Sequence, residues 1–201
     1  MALHYRADAI VLSKENRGEA DQLISLLTQH MGIVRVHAIS SRKLTSKLRG
    51  GVSLFSSTAI EFVQGRRKTL VEARTLEARE AVLRDLSKMR VALRVAETVL
   101  ALCHDQDPDI RIYVLVQETL DAIERTSRER TPLLYYAFFW KFMDVLGYGP
   151  DNETIHPEIR HTVRYMRACG MEDVGNFPVS LKERALLNLA CRRSFLSIPR
   201  S

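Results

Sequence analysis

No glycine occurs between Gly65 and Gly147. A stretch of that length without the residue that most readily supplies tight bends favours long helices with few breaks. The chain before it is patterned differently. Short runs of β-branched residues and leucine alternate with polar breaks that hold glycine. Two kinds of order therefore share one chain, and they divide near residue 77.

The first part reads as strands. Ala9-Ile10-Val11-Leu12 is a short β-branched run, and Arg17 to Asp21 is a polar loop holding Gly18. Asp21 to Thr28 is rich in Leu and Ile, and periodicity alone does not separate helix from strand there. A turn at Met31-Gly32 leads into Ile33 to Ile39. In a half-buried strand the Val34, Val36 and Ala38 face goes inward and puts Arg35 and His37 outside. Lys43 to Gly51 has room for a short helix capped by Ser46 and ended by Gly50-Gly51. Thr58 to Gln64 is strand-like, Gly65-Arg66-Arg67-Lys68 is a turn, and Thr69 to Ala73 is the return strand. Five short strands with one helix before the fourth fit a small closed barrel of the OB type, a fold that binds oligonucleotides.

The second part reads as helices. Val82, Leu86, Met89, Leu93, Ala96, Leu100 and Cys103 recur at steps of four and three, as on a buried helical stripe. Asp107 with Pro108, and Thr131 with Pro132, each look like an N-cap followed by a first-position proline. Leu133 to Leu146 is almost wholly apolar and should be the central helix, stopped by Gly147. Ile159, Val163 and Met166 mark a fourth helix ended by Gly170. Ser180 to Glu183 is a capping box that opens a fifth helix, through Cys191. The expected fold is thus α+β: a five-stranded N-terminal OB barrel (1–77) followed by an all-α helical domain (78–201).

Charge follows the same division. The net charge is +6. Residues 1–75 carry twelve Lys and Arg against six Asp and Glu, and the remainder is balanced at eighteen of each. No acid lies between Asp21 and Glu61. Within that window Arg35, Arg42, Lys43, Lys47 and Arg49 sit among Ser40, Ser41, Thr45 and Ser46, the group types that hold phosphate oxygens. Arg66, Arg67 and Lys68 add three cations at the turn. Tyr5, Phe55 and Phe62 are the only aromatics there, and the two phenylalanines read as core. Binding led by phosphates, with little sequence preference and strong salt dependence, is the expectation.

Catalytic and metal patterns are absent. Neither G-x-x-x-x-G-K-[ST] nor a strand-linked G-x-G-x-x-G occurs. His156 and His161 flank Pro157 and do not share a helix face. Asp105, Asp107 and Asp109 lack the glycine and distal Glu of a calcium loop. Cys103, Cys169 and Cys191 have no zinc spacing and read as reduced core thiols. No signal peptide or membrane-length apolar window is seen. The chain is expected to be a cytoplasmic, nucleoid-associated protein that is not an enzyme and holds no metal or cofactor.

Several motifs resemble the RecO family of DNA-repair mediators. They are Ala9 to Leu12, Gly18-Glu19-Ala20-Asp21 with Gln22 to Thr28, Gly32, Arg42-Lys43, Ser46-Lys47-Leu48-Arg49-Gly50, Phe55 and Gly65-Arg66. Leu146-Gly147-Tyr148 with Pro150, and Arg192-Arg193-Ser194-Phe195-Leu196, resemble its second half. Arg17 stands where the family usually has an aromatic, and Ser40-Ser41 where it has Gly-Ala. The four-cysteine zinc site of many members is missing, and the helical domain looks short. The resemblance implies binding of single- and double-stranded DNA, annealing of complementary strands, and help in loading RecA onto coated single strands together with RecR and single-stranded DNA-binding protein. The DNA-contact residues it implies are Arg35, Arg42, Lys43, Lys47, Arg49, Arg66, Arg67 and Lys68. A groove near Arg160, Arg164, Arg192 and Arg193 is expected to accept the acidic, apolar tail of single-stranded DNA-binding protein. The alternative is an RNA-binding adaptor with a basic OB barrel and a helical protein-interaction module.

Overall fold

β1 (Leu3–Arg17) is long enough to serve two neighbours. Its first half pairs antiparallel with β4 (Ser57–Gln64), from Leu3 opposite Gln64 to Ile10 opposite Ser57. Its second half pairs with β2 (Asp21–Thr28), ending at Arg17 opposite Asp21. An irregularity between Val11 and Ser13 bends the strand between these two duties. β3 (Gly32–Ala38) continues the meander, and β5 (Lys68–Glu77) returns beside β4. β3 and β5 meet in parallel at His37 opposite Thr69, which closes the barrel in the order β1-β2-β3-β5-β4. This is the expected five-stranded OB barrel, seen in a computed structural model that describes residues 3–43, 46–48, 50–151 and 153–198.

Alternation along the strands sets the two faces. Ala9, Val11, Ile24, Leu26, Val34, Val36, Ala38, Ile60, Phe62 and Leu70 fill the barrel. The expected helix over Lys43 to Gly51 lies partly outside the described residues, and those described in this segment form bends and turns rather than helix. Two local effects oppose a helix. Ser46 Oγ accepts from the Leu48 amide (3.3 Å), so a hydroxyl competes for backbone bonds. Tertiary anchors also fix the chain. Thr75 Oγ1 donates to the Gly50 carbonyl (3.0 Å), and a Cβ on Gly51 would lie 2.0 Å from the Ala73 carbonyl oxygen. Leu48 and Val52 from this turn pack into the barrel interior.

The remainder is helical, as expected, with corrections at the starts. The predicted stripe from Val82 to Cys103 is two helices, α1 (Glu80–Arg84) and α2 (Leu86–Leu102). Asp85 breaks it by accepting the Ser87 amide at 2.7 Å, which restarts the helix. Of the predicted stripe, Val82 and Ala96 are buried and Met89, Leu100 and Cys103 pack against the core, whereas Leu86 and Leu93 are exposed; Val91, Ala92, Val95 and Val99 are buried as well. α3 (Ile110–Arg125) is capped by Asp109 rather than Asp107, through the Arg111 amide at 2.9 Å. In α4 (Thr131–Val145), Thr131 is the first helical residue, and Leu133 to Trp140 are all buried. A 3-10 turn (Pro157–Ile159) leads into α5 (Arg160–Ala168) and the short α6 (Met171–Val174). The capping box at Ser180 and Glu183 opens α7 (Leu181–Ser197), which runs past Cys191. None of the helices is long and apolar enough to cross a membrane, among the described residues.

The barrel and helices share one core. Ile10, Leu12, Leu27 and Ile33, from the outer side of the β1–β2–β3 meander, join Phe55 in the same apolar cluster as α2, α3 and α4. The helices thereby cover one end of the face that OB barrels use for oligonucleotides.

Candidate nucleic-acid interface

The remaining open part of that face centres on the C-terminal half of β3. On one flank, the segment after β3 is tied to the β1–β2 turn. The Ser40 amide donates to Asp21 Oδ1 (2.7 Å), and the Arg42 amide to the Ala20 carbonyl (3.0 Å). Ser41 Oγ donates to Gln22 Oε1 (3.1 Å). Gly18, at φ +68, supplies the left-handed residue the turn requires. Arg42 Nη1 donates to the Glu19 carbonyl at 3.0 Å, which holds the guanidinium in place without neutralising it. Arg42, Lys43 and Lys47 are exposed. Arg49 lies outside the described residues.

On the other flank is the β4–β5 hairpin. The Gly65 amide donates to the Arg67 carbonyl (3.2 Å), and Arg66 and Arg67 are exposed at the tip, with Lys68 half-buried beside them. Because His37 stands opposite Thr69, this hairpin borders β3 on the side away from β2. Two strand spacings, roughly 10 Å, separate the flanks. Arg42 and Lys43 thus stand on one side of β3 and Arg66 to Lys68 on the other. None of Arg42, Lys43, Lys47, Arg66, Arg67 or Lys68 makes an ion pair with a described residue.

Arg35 sits between them but is occupied. Its Nη1 donates to both carboxylate oxygens of Asp105, in the α2–α3 connection. The opposite face of the barrel carries more acids than arginines. Glu61 accepts from Arg6 Nε (2.7 Å) and faces His4 Nδ1 at 2.7 Å, and these bonds hold its carboxyl below the usual range. Asp8, Glu72 and Arg74 line the same shallow groove. Arg17 pairs with Glu15 (3.0 Å), and the cations without an ion pair to a described residue, Arg42, Lys43, Lys47 and Arg66 to Lys68, lie around β3, where Glu19 and Asp21 of the β1–β2 turn are the nearby acids.

Lys14 is a residue of this region that sequence reasoning misses. It pairs opposite Ile24, a barrel-interior residue, so it shares that side rather than the outer one. It is half-buried, has no hydrogen bond or ion pair to a described residue, and burial lowers its pKa. The strand irregularity after Val11 turns it inward, and no feature of the sequence announces that irregularity. Stacking platforms are few: Tyr5 and Phe62 stack on each other (5.2 Å), and Phe55 and Phe62 are buried.

The four arginines of the helical domain do not form one groove. Arg192 borders an apolar cavity of about 390 Å³ with Arg94, Tyr135, Phe195 and Leu196, where Arg94 Cζ lies 3.7 Å over the Tyr135 ring. Arg193 borders a different cavity, with Trp140, Ile155 and His156. Arg160 donates from Nε to the Ile155 carbonyl at 3.1 Å, near that second cavity, and Arg164 is exposed on α5. Burial pushes the Cys103 thiol up to about 12, which keeps it protonated near neutral pH. Among the described residues, no three His, Cys, Asp or Glu side chains converge.

Two family models match the chain: "Recombination protein O N terminal" over residues 1–81 and "Recombination protein O C terminal" over residues 83–196. The protein named DNA repair protein RecO in Gloeothece citriformis is 35% identical over 154 residues, covering 75% of this chain and 54% of that relative. Its counterpart in a Roseiflexus species is 32% identical over 148 residues, covering 73% and 51%. The chain spans about half the length of these two curated relatives. The counterpart in Synechococcus elongatus is 30% identical over 216 residues, covering 100% of this chain and 81% of the relative.

Proposed function

The chain belongs to the RecO family of DNA-repair proteins, and from that premise we propose that it holds DNA by its phosphates around β3 and acts as a recombination mediator. One observation carries this reading: the barrel cations without an ion pair to a described residue flank a single strand, while the opposite face carries three carboxylates against two arginines. Phosphate contacts carry no sequence information, so the same rim accepts single- and double-stranded DNA. With the aromatic rings in the core, bases find few stacking partners, and sequence preference is low.

A mediator of this kind needs no catalytic residue. Two complementary strands repel each other. A cationic surface that holds both lowers that repulsion and raises their local concentration, which speeds annealing. Acting with RecR, the protein would then help RecA load onto strands coated by single-stranded DNA-binding protein, at the nucleoid in the cytoplasm. Affinity for an oligo-dT strand should fall with salt at a log–log slope of about −3.5, five phosphates at about −0.7 each. Fluorescence anisotropy across a salt series measures this, and a slope near zero removes the phosphate reading.

For the helical domain, the cavity between α2 and α7 suits an acidic, apolar tail better than the Arg193 cavity does. Its wall is Tyr135, Phe195 and Leu196, with Arg94 and Arg192 beside them. Partly desolvated arginine beside apolar surface is a frequent anchor for carboxylates at interfaces. A labelled acidic, apolar tail peptide of single-stranded DNA-binding protein should bind the full chain, and Arg192→Ala should weaken it about tenfold. Equal binding by the two chains places the tail elsewhere.

A further inference from the structure

Granting DNA on the barrel as proposed above, we propose that the Asp105 carboxylate stands in for a phosphate on Arg35, so that the α2–α3 connection is an internal competitor for DNA. Arg35 lies on the outward face of β3, between the two cationic flanks. It is the barrel cation of that row whose charge is already met by an acid, and the acid comes from the helical domain. Asp105 sets an anionic oxygen pair against Arg35 Nη1 and so occupies the charge-assisted donor that a phosphate oxygen would use, while the fork's other nitrogens are left without a bond to it.

The connection is seated on the barrel by more than this pair. A Cβ on Gly32 would lie 2.6 Å from the Asp107 carbonyl oxygen, so only glycine lets the backbone of the connection rest there. The Gln106 amide donates to the Ile33 carbonyl (3.4 Å). Gln106 itself is held at φ +63, a region that side-chain-bearing residues seldom occupy. The seat thus places Asp105 on Arg35 while the local backbone resists it. Both side chains remain reachable from solvent, at 42% and 46% exposure. A DNA strand crossing β3 meets Arg35 already neutralised and Asp107 close by. It gains the Arg35 contact only by displacing Asp105, and it is repelled until it does.

The test is anisotropy with oligo-dT, across a salt series, on the full chain and three variants. Asp105→Asn should tighten binding threefold to tenfold and steepen the log–log salt slope by about 0.7, one further phosphate. Asp107→Asn removes the same charge without freeing Arg35, and should leave the slope unchanged. Arg35→Gln placed on Asp105→Asn should return the affinity to that of the parent or below. An unchanged slope in Asp105→Asn, or a gain that survives Arg35→Gln, overturns the competition while leaving DNA on the barrel intact. Should neither the parent nor Asp105→Asn bind oligo-dT, the barrel reading and the competition both fall. A circular-dichroism melt run on each variant separates a lost clamp from a freed cation: a destabilised Asp105→Asn that binds DNA no better also overturns it.

Discussion

Arg79→Met should lower the unfolding free energy by about 3–5 kcal/mol, the range for removing one partner of a buried charge network. Arg79 is 1% exposed, just past the end of β5. Its Nη1 donates to the Phe55 carbonyl (2.7 Å) and Ser57 Oγ (3.2 Å), and its Nε to Asp121 Oδ1 (2.8 Å). Its Nη2 reaches Glu77 at 3.1 Å. One guanidinium therefore ties the strand exit, the β4 start and α3 together. Phe55 is itself held at φ +63, so the carbonyl Arg79 grips belongs to a strained residue. Methionine fills much of the volume but leaves Asp121 and the Phe55 carbonyl without their donor. Urea unfolding should show a lower midpoint with an unchanged m-value. Lysine, lacking the planar fork, should recover only part of the loss. A change below about 1 kcal/mol in Arg79→Met would mean the network is not what joins barrel to helices.

Replacing Arg66, Arg67 and Lys68 together by alanine should weaken single-stranded DNA binding about a hundredfold near 0.1 M salt. Three lost phosphate contacts at about −0.7 each also make the salt slope shallower by about 2. Mixed-sequence and oligo-dT strands should lose equally, because these cations face phosphates rather than base edges. Stability should move little, since the hairpin tip is exposed. Arg6→Ala is the control on the opposite face. Arg6 is already paired with Glu61, and its loss should leave the slope where it was. A hairpin variant with the parent's slope would take the DNA off this side of β3.

Elements whose cause is short-range are legible in the amino-acid order alone. The alternation of Val34, Val36 and Ala38 marks the inward face of β3, and Ser180 with Glu183 marks the start of α7. Arg17 to Asp21 reads as a loop, and the chain does turn there between β1 and β2, although Arg17 and Asp21 themselves pair as the last residues of the two strands. Elements whose cause is a distant partner are not legible in that way. Lys43 to Gly51 has the local marks of a short helix, yet its described residues turn instead, held by anchors at Ala73 and Thr75 in another strand. Of the stripe from Val82 to Cys103, Val82 and Ala96 are buried and Met89, Leu100 and Cys103 pack on the core, but Leu86, which opens the helix that Asp85 caps, and Leu93 are exposed. Arg192 and Arg193 are neighbours in the chain, yet adjacent residues on a helix point about 100° apart and border separate cavities.

By itself the sequence determined the kinds of element, their order, the OB class of the barrel and the concentration of positive charge in its first third. Periodicity, glycine placement and local charge fix these, and each acts over a few residues. Only the tertiary structure decided which cations keep their charge. Arg35 is met by Asp105, 70 residues away, while Arg66 and Arg67 meet no described acid. Charge compensation depends on which surfaces close against one another, and Coulomb pairing in water reaches only a few ångströms beyond contact.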